Sequence, residues 1–186
     1  MKAVVYTRYG PPDVLRWTDV ETPVPKDNEV LVKVHAVSLN ASDWEVLRGK
    51  PLYSRIGGPF RPRHHLLGSD IAGRVESAGR RVTLFRPGED VFADILSQMG
   101  GFAEYACVPE SVLARMPVGM TYEQAAALPQ AGAIALQGIR DKGQVRAQCR
   151  LAKVDHATRE SARRLTSLIV AGPSCRVPWS PGLLTR

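Results

Sequence analysis

The chain has 186 residues, 44% hydrophobic and 23% charged, which is enough for one domain with a real core and marginal for two. Its net charge of +7 sits at one end: residues 1–139 hold 15 Lys+Arg against 15 Asp+Glu, and residues 140–186 hold 10 against 3. A neutral body gives no reason to expect nucleic acid or a membrane there. The three cysteines, Cys107, Cys149 and Cys175, are odd in number and form no C-x-x-C pair. That spacing argues against a disulfide framework and a thiolate zinc site, and favours a reducing, cytoplasmic setting.

Met1-Lys2 leads directly into the strand-like Ala3-Val4-Val5-Tyr6, so no secretory leader is expected. No apolar run approaches the roughly 18 residues of a bilayer span. Glu29 to Leu39 alternates and predicts a strand with Val30, Val32, Val34 and Ala36 on one face. Ser42 with Glu45 reads as a capping box opening a short helix. Turns are marked by Gly10-Pro11-Pro12, Gly57-Gly58-Pro59, Ala78-Gly79 and Pro87-Gly88. Phe102 to Val108 predicts a second alternating strand, with Phe102, Glu104, Ala106 and Val108 on one side. Thr121 with Gln124 reads as another capping box, Pro129 restarts a helix, and Gly143 suits its stop. Many short strands between turns predict a mainly β fold, a barrel or sandwich. Residues 158–171 have the pattern of one basic amphipathic helix, and the proline-spaced stretch 174–186 is too short to build a core.

Three blocks carry a more specific signal. They are Val37-Ser38-Leu39-Asn40-Ala41-Ser42-Asp43-Trp44, Leu67-Gly68-Ser69-Asp70-Ile71-Ala72-Gly73-Arg74-Val75-Glu76 and Phe85-Arg86-Pro87-Gly88-Glu89-Asp90-Val91-Phe92. In the second, Gly68 and Gly73 permit close backbone approach in a strand or at a bulge. In the third, Pro87-Gly88 fits the centre of a type II turn. Each alone is an ordinary glycine turn. In this order and spacing, with Tyr6-Thr7-Arg8-Tyr9-Gly10-Pro11-Pro12-Asp13-Val14-Leu15 ahead of them, they resemble the medium-chain dehydrogenase/reductase superfamily. The pairing of Asn40 with Asp43 narrows the resemblance to the zinc-independent quinone oxidoreductase branch.

The resemblance implies a GroES-like barrel forming the substrate side of a cleft, followed by a Rossmann domain that binds NADPH or NADH. It implies hydride transfer to a quinone, enone or similar carbonyl acceptor. It places Asn40 and Asp43 at the cleft near the nicotinamide as the catalytic pair, and Tyr53 on a substrate-side loop. Asn40 is suited to donating a hydrogen bond to a carbonyl. Both residues are equally what a helix start selects, and the two roles can coexist. Tyr53 reads equally as ordinary loop packing. Ile134 falls at the nicotinamide end, where the family usually has a threonine, so a hydroxyl is missing there. Zinc relatives place a cysteine where this chain has Ala41 and a His-Glu pair where it has Ser69-Asp70. Those substitutes do not make a three-ligand zinc site, so no metal is expected. His64 and His65 are adjacent and point apart in extended chain, while His35 and His156 have no partners at ligand spacing.

Three regions are expected: 1–113 as the GroES-like domain, 114–145 as a helical link, and 146–186 as a basic tail without a domain. A dinucleotide site needs a strand, a glycine loop and a helix N-terminus. After Gln144-Val145-Arg146-Ala147 the chain continues Gln148-Cys149-Arg150-Leu151-Ala152-Lys153 with no G-x-G-x-x-G. The expectation is therefore a truncated relative, inactive alone, whose tail arises from a frameshift or rearrangement. Two alternatives stay open. One is a non-enzymatic barrel module acting as a homo-oligomer or as partner of a full-length relative. The other is a basic tail that binds nucleic acid or an acidic surface, although no aromatic interleaving supports it.

Overall fold

The structure is a computed structural model that describes residues 1–56, 58–143, 150–151 and 170–171. It divides into two compact units, 1–133 and 134–186.

The first unit is mainly β. Strands β1 (Lys2–Val5) and β2 (Arg16–Asp19) form an antiparallel hairpin. A five-stranded antiparallel sheet follows, built from β3 (Glu29–Ser38), β4 (Asp70–Ala78), β5 (Asp90–Asp94), β6 (Tyr105–Pro109) and β7 (Leu113–Arg115) in the order β6-β3-β4-β5-β7. The hairpin joins this part of the molecule through single bridges, Ala3 to Ala103 and Val5 to Leu66. All five strands supply side chains to one buried cluster, including Val30, Val32, Ile71, Val75, Val91, Val108 and Leu113. Such a sheet packed on one core is the mainly β architecture expected from the strand and turn signals.

The long strand β3 departs from simple alternation. Its register against β4 shifts between Leu31 and Val32 and again between Val34 and Ala36, where His35 is the extra residue. An extra residue reverses the faces that follow it. Val34 and Val37 therefore pack on the main core, whereas Ala36 packs with Ala72, Ala125 and Ala126 on the opposite side. The expected common face for Val34 and Ala36 is thus corrected by the bulge. On the other edge, the regular strand over 105–109 is shorter than the predicted 102–108, but Ala106 and Val108 keep their inward phase.

Glycines sit where backbones nearly touch. A Cβ on Gly73 would lie 2.1 Å from the Lys33 carbonyl oxygen, and one on Gly68, at φ +94°, would lie 2.6 Å from the Phe102 nitrogen. The Arg86–Glu89 turn closes with a Glu89 N–H to Arg86 carbonyl bond of 3.2 Å, and Gly88 takes φ +92°, as a type II turn requires.

Helix α1 (Ala41–Arg48) lies between β3 and β4 in sequence. Leu47 packs with Tyr6, Val14 and Leu67 in a second cluster. The start of α1 is two residues earlier than predicted. Asn40, not Ser42, is the N-cap, and the N3 residue is Asp43 rather than Glu45. Ser42 has a different task, described below. Helix α2 (Tyr122–Ala126) does open with the predicted Thr121–Gln124 box: the Gln124 N–H donates to Thr121 Oγ1 at 3.3 Å and the Thr121 N–H to Gln124 Oε1 at 3.1 Å. It packs Ala125 and Ala126 on the outer face of the sheet. Helix α3 (Pro129–Leu136) starts at Pro129 as predicted and passes into a π-helical turn, Gln137–Lys142, that ends at Gly143.

In the second unit, strands β8 (Arg150–Leu151) and β9 (Val170–Ala171) pair antiparallel. The helix predicted over 158–171 lies outside the described residues except for its last two, Val170 and Ala171. Those two are extended instead. The irregular stretch expected over 174–186, together with His156, Cys149 and Cys175, lies outside the described residues.

Candidate active site

The first two sequence blocks meet around the turn from β3 into α1. Capping sets the local geometry. Asp43 Oδ2 accepts the Asn40 N–H at 2.8 Å, satisfying one donor of the helix start. Its other oxygen, Oδ1, accepts the Gly68 N–H at 2.9 Å. Asp43 thus ties α1 to the residue just ahead of β4, and it is 1% exposed. Burial pushes its carboxyl above the ordinary value, and the Asn40 and Gly68 N–H groups and the Ser69 hydroxyl hold it back.

Ser69 and Asp70 are fully buried. Asn40 Nδ2 donates to Ser69 Oγ at 3.1 Å and to Ser38 Oγ at 3.4 Å. The Ser38 hydroxyl lies 3.5 Å from Asp70 Oδ2 and donates to it. Asp70 also accepts the backbone N–H of Gln130, at 3.0 and 3.2 Å, in the first turn of α3. Burial again raises the carboxyl, opposed by the Gln130 and Asn40 donors and reinforced by the nearby charges of Asp94 and Asp43. Ser42 Oγ donates to Gln130 Oε1 at 3.1 Å, which is the work it does instead of capping. Behind this network, the buried Tyr6 hydroxyl has no hydrogen-bond partner among the described residues, and burial raises its pKa.

Asn40 and Asp43 are therefore brought together, as their spacing predicts. Tyr53 is elsewhere, in a 3-10 turn at Leu52–Arg55, where it is 59% exposed and its hydroxyl donates to Glu45 Oε2 at 2.6 Å. Ile134 lies on α3 and is 64% exposed. Sequence reading missed Ser38, Ser42, Asp70 and Gln130 as members of the network. Only Asp70, a carboxylate inside an apolar strand pattern, carried a signal. A separate apolar groove of about 330 Å³ lies between β3 and the hairpin, lined by Val4, Trp17, Val34, Ala36, Val37 and Phe102 among others.

Among the described residues, no group of three or more His, Cys, Asp and Glu is arranged to hold a metal ion, and no helix is long and apolar enough to cross a membrane. Cys107 is a half-buried free thiol, and burial raises its pKa to about 11.

Residues 26–118 match the alcohol dehydrogenase GroES-like domain family. The chain is 36% identical over 133 residues to the quinone oxidoreductase of Sus scrofa, covering 69% of this chain and 37% of that protein. It is 38% identical over 144 residues to the chloroplast envelope quinone oxidoreductase homolog of Arabidopsis thaliana, covering 75% and 42%. The quinone oxidoreductase structure from Coxiella burnetii superposes with a TM-score of 0.71 at 30% identity, over 80% of this chain and 47% of that one. The chain thus spans less than half the length of each of these relatives.

Proposed function

This chain belongs to the alcohol dehydrogenase GroES-like domain family, and we propose that it is the substrate-side domain of a zinc-independent, NAD(P)H-dependent oxidoreductase. The observation that carries the reading is the Asn40–Asp43 pair at the β3–α1 turn, locked by buried bonds to the start of β4. A hydride from NADPH or NADH, delivered to a quinone or enone carbonyl, is the chemistry that the coenzyme supplies. The chain's own part is placement. Asp43 fixes the angle at which Asn40 leaves β3, and Asp70 with Ser42 fixes the first turn of α3 through Gln130.

The division proposed is 1–113 as GroES-like domain, 114–145 as link and 146–186 as tail. Asn40 and Ile134 serve the nicotinamide end, and Tyr53 serves the substrate-side loop. The free Cys107 thiol fits a reducing, cytoplasmic setting. Zinc plays no part in this reading, because the two polar side chains that replace the zinc relatives' ligands, Ser69 and Asp70, are occupied by Asn40 and Gln130.

By itself the chain neither grips NAD(P)H tightly nor turns over quinones. A nicotinamide-end contact alone is too small to offset the cost of immobilising a dinucleotide. An NADPH fluorescence titration paired with a quinone turnover assay on the same sample tests this. The expected result is no saturation in the micromolar range and no turnover. A low-micromolar dissociation constant, or turnover that Asn40→Ala abolishes, overturns it.

A further inference from the structure

The neutral charge of the body is the sum of two unlike parts. Between Glu45 and Asp70 the chain has no Asp or Glu but five cations, Arg48, Lys50, Arg55, Arg61 and Arg63. The other residues of 1–139 hold 10 Lys+Arg against 15 Asp+Glu, so a +5 loop is set against a −5 remainder. The loop is pinned at one hub. Arg55 lies over the Tyr9 ring at 4.8 Å, and its guanidinium donates to the Gly49 and Pro59 carbonyls at 2.8 and 3.4 Å. The Tyr9 hydroxyl donates to the Gly58 carbonyl at 2.6 Å. These bonds satisfy backbone on the inside and leave side chains on the outside. Leu52, Ile56 and Phe60 are 79%, 82% and 91% exposed, and Arg48, Lys50, Arg61 and Arg63 are exposed as well. None of the five cations is in an ion pair among the described residues. Glu45, the acid that precedes them, takes the Tyr53 hydroxyl instead. His64 feels the uncompensated charge: burial lowers its pKa first, and Arg63 and His65 lower it further.

We propose that this loop is a peripheral docking surface for an anionic lipid bilayer, with Arg48, Lys50, Arg61 and Arg63 on the headgroup phosphates and Leu52, Ile56 and Phe60 entering the acyl boundary. An interfacial surface needs both kinds of side chain together, cations for the headgroups and apolar groups to bury beneath them. The −5 remainder turns the loop toward a negative surface. A single-stranded nucleic acid would supply phosphates, but it also calls for planar faces on which bases stack. Leu52 and Ile56 have none, and the Tyr9 and Trp44 rings already carry Arg55 and Arg48. The proposal goes beyond the oxidoreductase reading and involves neither coenzyme nor turnover.

Flotation of the full chain with vesicles tests it, using phosphatidylcholine alone and phosphatidylcholine mixed with phosphatidylserine. The wild type should bind the mixed vesicles much more tightly than the neutral ones. The basic tail is present in every sample, so the decisive comparison is between loop variants. Arg61→Gln with Arg63→Gln should weaken binding to the mixed vesicles roughly 25-fold, since each cation at such a surface contributes about fivefold. Ile56→Ser with Phe60→Ser should weaken it by about tenfold or more and leave the remaining binding more sensitive to salt. None of the four side chains belongs to a buried cluster, so both variants should keep the wild-type unfolding midpoint. Variants that float as well as the wild type assign the binding to the tail and overturn the proposal, as does a wild type that does not float. Loop-dependent binding of a single-stranded oligonucleotide without flotation assigns the surface to nucleic acid and overturns it too.

Discussion

Asp43 and Asp70 are held by donors yet still lie above the ordinary carboxylate value of 3.8, because burial outweighs the hydrogen bonds. The sign for stability follows from linkage. A carboxyl whose folded pKa exceeds its unfolded value favours folding when protonated, so its contribution is full below 3.8 and is lost as pH rises through the raised value. Acidification through the raised values of these two groups should therefore increase the urea midpoint. Asp43→Asn should flatten that part of the profile. Asp43→Ala should cost about 3 kcal/mol or more at neutral pH, because it strands the Gly68 N–H in a buried position and removes half of the α1 cap. A profile that is equally steep in Asp43→Asn would assign the dependence to other groups. Zinc belongs to the same scale. Elemental analysis of the purified protein should find less than stoichiometric metal, since Ser69 and Asp70 are committed to Asn40 and Gln130.

At the level of elements, the glycines separate two costs that usually travel together. Gly88 and Gly68 share nearly the same positive φ, +92° and +94°, but an added Cβ meets nothing within 4 Å at Gly88 and the Phe102 nitrogen at 2.6 Å at Gly68. Gly88→Ala should cost about 1–2 kcal/mol, the backbone term alone. Gly68→Ala should cost clearly more, because the clash is with main chain that cannot rotate away, and it should loosen the link from β4 to the site. Thermal or urea unfolding of the pair measures the difference, and equal costs would mean that the Gly68 backbone yields. These positions also show what could be read in advance. Gly68, Gly73, the Pro87-Gly88 turn and the Thr121–Gln124 box were legible because each is a local rule with a local cause. The start of α1 was misread by two residues, because Asn40–Asp43 and Ser42–Glu45 both satisfy the capping pattern. What separates them is distant: Gly68 and Gln130 claim Asp43 and Ser42 across 25 and 88 residues. The bulge at His35 left no mark in a run of alternating residues, since it depends on the partner strand. The network through Ser38, Asp70 and Gln130 was hidden for the same reason.

At the scale of the whole molecule, among the described residues, the sheet carries a buried core whereas helix α3 has no buried residue. Helix α3 reads Pro-Gln-Ala-Gly-Ala-Ile-Ala-Leu, and none of its residues is buried. Leu128 just ahead of it, Ile134 and Leu136 within it are 42%, 64% and 52% exposed. An apolar helix exposed beyond its first turn is unusual in a stable domain, because such a surface is ordinarily covered. The relatives this chain matches are more than twice as long as the part it aligns with, so the aligned region in them continues into further chain. The expected outcome for this chain in isolation is concentration-dependent self-association through α3. Sedimentation velocity across a hundredfold concentration range should show the average mass rising. Ile134→Lys with Leu136→Lys should restore a monomer without lowering the unfolding midpoint, because neither side chain belongs to a buried cluster. Binding of a hydrophobic dye should fall in the same variant. A wild-type chain that stays monomeric throughout, or a double variant that associates as strongly, would remove α3 as the contact and with it the oligomeric alternative to the oxidoreductase reading.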